Sequence, residues 1–156
     1  MDLLSMCRQT FKSRKGGEQK MIKKKKLSMG KLQKVLWQHC KRLTRARYAL
    51  KSPQNAPEKW KCYTCDIVIN NKQDAQTGHF IPKSVCGAFL KYDLRNLRIQ
   101  CMACNVWKGG NGAVFYRNMV EKEGQEYVDE LFRIKNNVSV KAYDLYLQQL
   151  LEYEKM

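Results

Sequence analysis

The chain is poor in histidine, poor in acidic residues over its first third, and without any long apolar run. Only two of its 156 residues are histidine, His39 and His79, so few imidazoles are available for catalysis or metal binding. No segment is apolar over sufficient length to be a signal peptide or a membrane span. We therefore expect no membrane partner and a cytoplasmic location.

The basic side chains are concentrated near the N-terminus. Residues 1–51 carry 16 basic and 2 acidic side chains, a net charge of +14, whereas residues 52–156 carry 14 and 12, a net charge of +2. Solubility does not require this segregation, but a polyanion partner favours it because each neutralised phosphate releases counterions. A solvated tail or a membrane-surface arm would have a similar composition. We expect nucleic acid as the partner.

The chain divides into four segments. Residues 1–30 form a basic arm whose like charges resist compaction. Residues 31–51 predict an amphipathic helix with an apolar face for the core and a basic face suited to a phosphate backbone, although a calmodulin-target or membrane-target helix has a similar pattern. Residues 58–135 form a central module, and residues 138–156 a C-terminal helix. The candidate nucleic-acid contacts in the first two segments are Lys23, Lys24, Lys25, Lys26, Arg42 and Arg45.

Four of the seven cysteines form two CxxC pairs, which are separated by 35 residues. Two such pairs supply the four ligands of one tetrahedral zinc ion. Because all four ligands would be thiolates, the site is expected to be closed and structural, replacing a core that a small module cannot build. The four predicted ligands are Cys62, Cys65, Cys101 and Cys104.

The residues around these pairs occur in a more specific order. Gly-His-Phe at 78–80 is followed by Arg-Asn-Leu-Arg-Ile-Gln-Cys-Met-Ala-Cys-Asn at 95–105, then by Lys108 and by Tyr-Arg at 116–117. From about residue 60 to residue 131 this order resembles the NinG/Rap family of phage recombination endonucleases, and more broadly the HNH, or His-metal finger, nucleases. The resemblance implies an α+β fold: a small zinc-stapled ββα-metal (HNH-like) finger with flanking helices and a basic N-terminal arm.

The resemblance also implies an activity, namely metal-dependent cleavage of branched DNA, such as Holliday junctions and D-loops, during phage recombination. His79 would be the general base, because a neutral imidazole titrates near working pH. Asn105 would offer an amide oxygen to a catalytic Mg²⁺ or Mn²⁺, and Asn96 would brace the hairpin that carries His79. The expected phosphate contacts in this module are Arg95, Arg98, Lys108 and Arg117.

A homodimer is a further expectation. A four-way junction is two-fold symmetric, so a homodimer would suit paired cuts. Leu147, Leu150 and Leu151 on the C-terminal helix would suit a dimer surface, although burial within one chain explains them equally well.

Simpler explanations stay open for each residue. His79 could be a structural histidine, Asn105 could be a helix N-cap, and the basic side chains could form a solvated face. Gly78 stands where many HNH nucleases have an acidic metal ligand, so the second protein ligand is open. The acidic candidates are Asp74, Asp93, Glu126 and Asp129, with water and phosphate as the alternative.

A different function is also compatible with these motifs. A non-catalytic zinc-ribbon DNA-binding accessory or transcription-modulating protein would share the cysteine pairs and the basic arm. It would not need His79 and Asn105 beside the cysteine pairs. The same phosphate chemistry would serve RNA.

Overall fold

The computed structural model describes residues 27–51, 53, 56–135 and 141–156. The predicted arm, including Lys23, Lys24, Lys25 and Lys26, lies almost wholly outside these residues. Helix α1, Met29–Tyr48, begins after Ser28, whose side chain accepts a hydrogen bond from the backbone N–H of Lys31. It starts two residues before the predicted segment 31–51 and ends three residues before its end.

The apolar face of α1 recurs at helical spacing and is buried at Leu32, Leu36, Cys40 and Leu43. Val35, one position before Leu36, stays 38% exposed. A face of this width is enough to anchor the helix on a core while its basic residues stay at the surface. Helix α1 therefore packs against the module through one narrow stripe.

Four short strands form two antiparallel pairs. Trp60–Lys61 (β1) pairs with Val68–Ile69 (β2), and Gln76–His79 (β3) pairs with Leu97–Gln100 (β4). In the second pair, His79 lies opposite Leu97 and Gly78 opposite Arg98. Successive residues of a strand face opposite sides of the sheet, so His79 lies on one face of this hairpin and Gly78 on the other.

The remaining elements are helical. The connection from β3 to β4 contains a short helix and a 3₁₀ turn, and a π-helical turn that contains Cys104 follows β4. Gly124, at φ 95°, separates two helices. In chain order these elements are α2 (Gly87–Leu90), the 3₁₀ turn Leu94–Asn96, the π-helical turn Ala103–Trp107, α3 (Gly112–Glu123), α4 (Gln125–Lys135) and α5 (Ala142–Tyr153).

The described residues thus form a mixed α+β fold with small sheets, as predicted at that level. The finer ββα-metal architecture is not established by these elements, because β4 leads into a π-helical turn and only then into α3. None of the helices in the described part of the chain has the length and apolar character needed to cross a membrane.

Helix α5 packs against α1. Leu145, Tyr146, Leu150 and Tyr153 are buried in one apolar cluster with the α1 face and Leu97. The leucines suggested for a dimer surface therefore divide: Leu150 is buried within the chain, whereas Leu147 and Leu151 are 37% and 47% exposed. This packing holds α1 over the face of the β3–β4 hairpin to which His79 belongs.

Candidate functional site

The four predicted zinc ligands come together. The Sγ atoms of Cys62, Cys65, Cys101 and Cys104 all lie within 4.8 Å of one another. The Sγ atoms of Cys65 and Cys101 are 3.7 Å apart. Four thiolates around zinc at about 2.3 Å would be separated by about 3.8 Å, so this donor set fits a tetrahedral ion. The four cysteines could therefore hold a metal such as zinc.

No second cluster of this kind occurs elsewhere in the described residues. Among residues 27–135 and 141–156, as far as they are described, these four cysteines are the one place where three or more His, Cys, Asp or Glu side chains lie close enough to share a metal ion. Cys40 and Cys86 are buried as free thiols in the apolar clusters. A second metal ion in this part of the chain would therefore need ligands other than a group of three such side chains.

His79 is the last residue of β3, and its ring faces α1. The imidazole stacks on the indole of Trp37, with centroids 5.4 Å apart and planes 13° from parallel. Its Nε2 lies 2.9 Å from the backbone carbonyl oxygen of Lys91. A carbonyl only accepts, so Nε2 carries the proton and Nδ1 carries the lone pair.

The surroundings of His79 favour its neutral form. Burial lowers the pKa of His79, and the positive charges of Lys83 and Lys91 lower it further, while the hydrogen bond to the Lys91 carbonyl acts in the opposite direction. The net direction is downward from the ordinary value of 6.5. An imidazole in this position is an available proton acceptor at neutral pH.

Asn96 ties together the loop that follows His79. Its fully buried side chain accepts a hydrogen bond from the N–H of Ile81 and donates to the carbonyls of Ile81 and Leu90. These contacts join the two ends of the β3–β4 connection across 15 residues. The Asn96 side chain therefore contacts only backbone groups of the loop, and its geometry is that of a brace.

Asn105 lies on the other side of the hairpin. It is inside the π-helical turn, whose N-cap residue is Met102, so the alternative of an N-capping role for Asn105 does not hold. Its Nδ2 donates to Oε1 of Gln76 at 2.8 Å. A Cβ on Gly78 would lie 3.0 Å from Oδ1 of Asn105 and would overlap Oε1 of Gln100. The absence of a side chain at residue 78 is therefore required by packing.

Comparison with known proteins assigns a family. The family model for Bacteriophage Lambda NinG protein matches residues 5–154. The chain belongs to the NinG family. No solved structure matches it.

Two curated NinG relatives show how far the detailed similarity extends. Protein ninG of Escherichia phage 933W is 33% identical over 70 residues, which cover 45% of this chain and 33% of that protein. Protein ninG of Escherichia phage lambda is 31% identical over 70 residues, with the same two coverages. The chain thus spans about a third of the length of the curated relatives it matches.

One of the predicted phosphate contacts in this NinG chain is wrong. Arg98 is fully buried, and its guanidinium forms a 2.9 Å ion pair with Glu123. It also lies over the rings of Tyr48, Tyr63 and Tyr127. Leu97 and Arg98 are consecutive in β4, so their side chains point to opposite faces of the strand. The side chain of Arg98 fills the space between the hairpin and α3. A buried, paired guanidinium cannot reach a phosphate.

The other basic candidates of the NinG module differ in their exposure. Lys108 and Arg117 are exposed. Arg95 is held by Asp93 in an ion pair of 2.6 Å with 40% of its side chain exposed. Arg42 donates to the carbonyl of Tyr153, and Arg45 to that of Ala75, so both are partly engaged by the chain itself.

The acidic candidates for the second metal ligand are also engaged elsewhere. The carboxylate of Asp74 accepts a hydrogen bond from Nδ2 of Asn71, and its backbone N–H donates to Oδ1 of Asn71. Asp93 accepts from Arg95. Asp129 accepts from Gln125. Glu126 lies on α4, where it lines a surface depression together with Arg95 and Arg133. None of these contacts directs a carboxylate towards Gly78.

Sequence reasoning missed the residues that surround His79 and Gly78. Trp37 had no local signal, because it lies 42 positions before His79 and interacts through α1 packing. Lys91 contributes a backbone atom, which no side-chain pattern reveals. Gln100 is next to Cys101, and its position in the motif was the one available signal.

Proposed function

We propose that this protein is a metal-dependent, structure-selective DNA endonuclease that hydrolyses phosphodiester bonds in branched DNA during phage recombination. The observation that carries the proposal is the hydrogen bond from Nε2 of His79 to the carbonyl of Lys91. It presents Nδ1 as the proton acceptor in an imidazole that burial keeps neutral. A neutral imidazole with an unprotonated ring nitrogen is what a general base needs at neutral pH.

His79 acts as the general base in this proposal. Its Nδ1 takes a proton from the attacking water, while the carbonyl of Lys91 and the stacked Trp37 hold the ring. The positive charge that forms on the imidazole during proton transfer is disfavoured by Lys83 and Lys91 until a phosphate lies nearby. The same lysines attract that phosphate, so substrate and base are brought together by one electrostatic arrangement.

Asn105 would hold a catalytic Mg²⁺ or Mn²⁺ through Oδ1. Such an ion, when bound, neutralises charge on the scissile phosphate and the leaving oxygen. Asn105 lies against one face of β3, and the ring of His79 lies on the other face. Because His79 is the last residue of β3, a phosphate placed across the end of the strand would contact both side chains. The four cysteines would bind zinc as a structural clamp, because a closed four-thiolate site has no position for water.

DNA binding is supported by charge and exposure. The whole chain has a net charge of +16. Lys108 and Arg117 follow the second cysteine pair and are exposed. Trp107, directly before Lys108, is 77% exposed and offers a ring to an unpaired base. A preference for branched DNA rests on the family resemblance. A homodimer would suit the two-fold symmetry of a four-way junction, and Leu147 and Leu151 provide exposed apolar area for it on α5.

The experiment compares cleavage of a labelled four-way junction with that of matched linear duplex, single-stranded DNA and RNA, in Mg²⁺, Mn²⁺ or EDTA. The variants are wild type, His79→Ala and His39→Ala. His39 is the matched control, because it is the other histidine and lies on α1. We expect cation-dependent junction cleavage that His79→Ala abolishes and His39→Ala retains, with zinc content unchanged in all three.

The alternative outcomes separate the two functional candidates. Tight junction binding without cleavage in either cation would favour the non-catalytic zinc-ribbon DNA-binding accessory or transcription-modulating protein. Cleavage that persists in purified His79→Ala would remove His79 as the base. Equal cleavage of RNA would redefine the substrate class.

A further inference from the structure

Three amide side chains gather under Gly78. Gln76, Gln100 and Asn105 all lie on the face of the β3–β4 hairpin that faces the π-helical turn. Gln100 is fully buried, and Asn105 is partly exposed at the edge of the group. Buried polar side chains need hydrogen-bond partners. The contacts of each amide therefore show whether its nitrogen and its oxygen each have a partner.

The amide of Gln100 has a fixed orientation. Its Nε2 donates to Oγ1 of Thr64 and to the backbone carbonyl of Gly110, the latter at 2.8 Å. Because the carbonyl of Gly110 can only accept, the nitrogen must lie on that side and the oxygen on the other. Oε1 of Gln100 is buried and accepts no hydrogen bond from any residue that the structure describes. A buried acceptor without a hydrogen-bond partner destabilises the fold.

The amide of Asn105 is oriented in a similar way. Its Nδ2 donates to Oε1 of Gln76, which turns Oδ1 towards Gly78. The oxygens of Gln100 and Asn105 both lie within 3.0 Å of the point where a Cβ of residue 78 would be. Both oxygens therefore face Gly78, and a cation bound to them would satisfy the unpartnered acceptor of Gln100.

We propose that Oε1 of Gln100 and Oδ1 of Asn105 together bind one divalent cation of the Mg²⁺ or Mn²⁺ class beside Gly78. Gln100 is then the second protein ligand that the sequence left open, and it occupies the space that a side chain at residue 78 would need. The assignment of a catalytic role to this cation rests on the proposed function; the site itself rests on the two oxygens.

The donor set defines the chemistry of the site. Amide carbonyl oxygens are hard ligands that suit Mg²⁺ and Mn²⁺, and Mg²⁺ keeps several of its waters. Both donors are neutral and the chain is strongly basic, so binding to the free protein is expected to be weak. A DNA phosphate that replaces one water adds the missing negative charge. Cation and DNA should therefore strengthen each other's binding.

The first test follows Mn²⁺ binding without DNA, by paramagnetic broadening of backbone amide NMR signals in the full chain. In wild type we expect the signals of Gly78, Gln100 and Asn105 to broaden first. Gln100→Met should require at least about tenfold more Mn²⁺ for the same broadening. Gln149→Met is the matched control, because Gln149 is also buried with an unpartnered Oε1 among the described residues, but on α5.

Two further variants guard against loss of folding in Gln100→Met. Asn105→Asp lies at a partly exposed position and adds a negative charge, so it should lower the Mn²⁺ requirement by about tenfold. Gly78→Asp combined with Gln100→Ala moves a carboxylate into the space of the glutamine amide and should also bind Mn²⁺ more tightly than wild type. Zinc content of each variant confirms that the cysteine cluster is intact.

The outcomes distinguish this proposal from the proposed function. Mn²⁺ that fails to broaden Gly78 and Asn105 in wild type, or that broadens them equally in folded Gln100→Met, overturns the site. Broadening that depends on Gln100, in a protein that cuts no DNA, supports the site and removes the endonuclease. Junction cleavage whose Mn²⁺ dependence is unchanged by Gln100→Met supports the endonuclease and removes Gln100 as a ligand.

Discussion

The imidazole of His79 and the indole of Trp37 are stacked nearly in parallel, with planes 13° apart. The two residues come from different parts of the chain, His79 from the end of β3 and Trp37 from the middle of α1. Tyr92 packs edge-on against the indole and supports it from the loop before β4. Helix α1 is therefore part of the environment of the candidate base as well as a basic surface.

Trp37→Leu should raise the pKa of His79 towards its ordinary value. The indole contributes to the burial that lowers this pKa, and greater access of water stabilises the charged imidazolium. The acid limb of the pH–rate profile for junction cleavage should then move to higher pH. The NMR titration of the His79 ring measures the same change directly.

Trp37→Phe is the control, because it retains an aromatic ring over the imidazole. A pKa of His79 that is equal in wild type, Trp37→Phe and Trp37→Leu would show that the stacked ring does not set the protonation of the base.

Arg98→Ala should destabilise the fold without removing a DNA contact. The substitution leaves Glu123 unpaired beside a cavity, and loss of one partner of a buried ion pair typically costs about 3–5 kcal/mol. We expect a decrease near the lower end of that range in the free energy of unfolding measured with denaturant. The Glu123 side chain is 23% exposed, which moderates the effect.

Arg117→Ala on α3 is the matched exposed control. It should change the free energy of unfolding by less than about 0.5 kcal/mol while weakening DNA binding. A folded Arg98→Ala with normal stability and weakened DNA binding would restore Arg98 as a phosphate contact.

Cys101→Ser and Cys104→Ser should each lose the bound zinc and the cooperative unfolding transition. A structural zinc site contributes its binding free energy to folding, so removal of one ligand affects the whole module. Zinc content by elemental analysis and thermal unfolding by circular dichroism measure the two effects. Cys86→Ser provides the comparison, because Cys86 is buried but lies outside the cluster. A zinc-free variant with a cooperative transition and wild-type activity would contradict the structural assignment.

Deletion of residues 1–26 should reduce the salt dependence of DNA binding. These residues carry 9 basic and 2 acidic side chains, a net charge of +7. Each phosphate contact that is lost lowers the slope of log K against log salt concentration by about 0.9. The deletion retains Leu27, whose carbonyl accepts a hydrogen bond from Tyr143, so the packing of α1 on α5 is preserved.

A variant with Gln in place of Lys23, Lys24, Lys25 and Lys26 keeps the length of the arm and tests its charge alone. If both changes leave the salt slope as it is in wild type, residues 1–26 do not contact phosphate.

Local sequence patterns determined several features of this protein. The spacing within two CxxC pairs brought four thiolates together, because each pair is a chelating unit and one ion needs two of them. Helical periodicity determined α1, and Gly124 determined the break between α3 and α4. The order of motifs indicated the NinG family, and the match to residues 5–154 shows that family independently.

The tertiary structure decided the properties that depend on contacts between distant residues. Arg95 and Arg98 lie three residues apart, but Arg95 is at the surface and Arg98 is in the interior. The direction of the Arg98 side chain in β4 and the position of Glu123 on α3 decide this difference in exposure. The stacking of Trp37 on His79 requires α1 to lie across β3. The orientation of Gln100 depends on Thr64 and on the Gly110 carbonyl. Charge, spacing and periodicity are local quantities, whereas burial and the direction of an oxygen atom depend on how the elements pack.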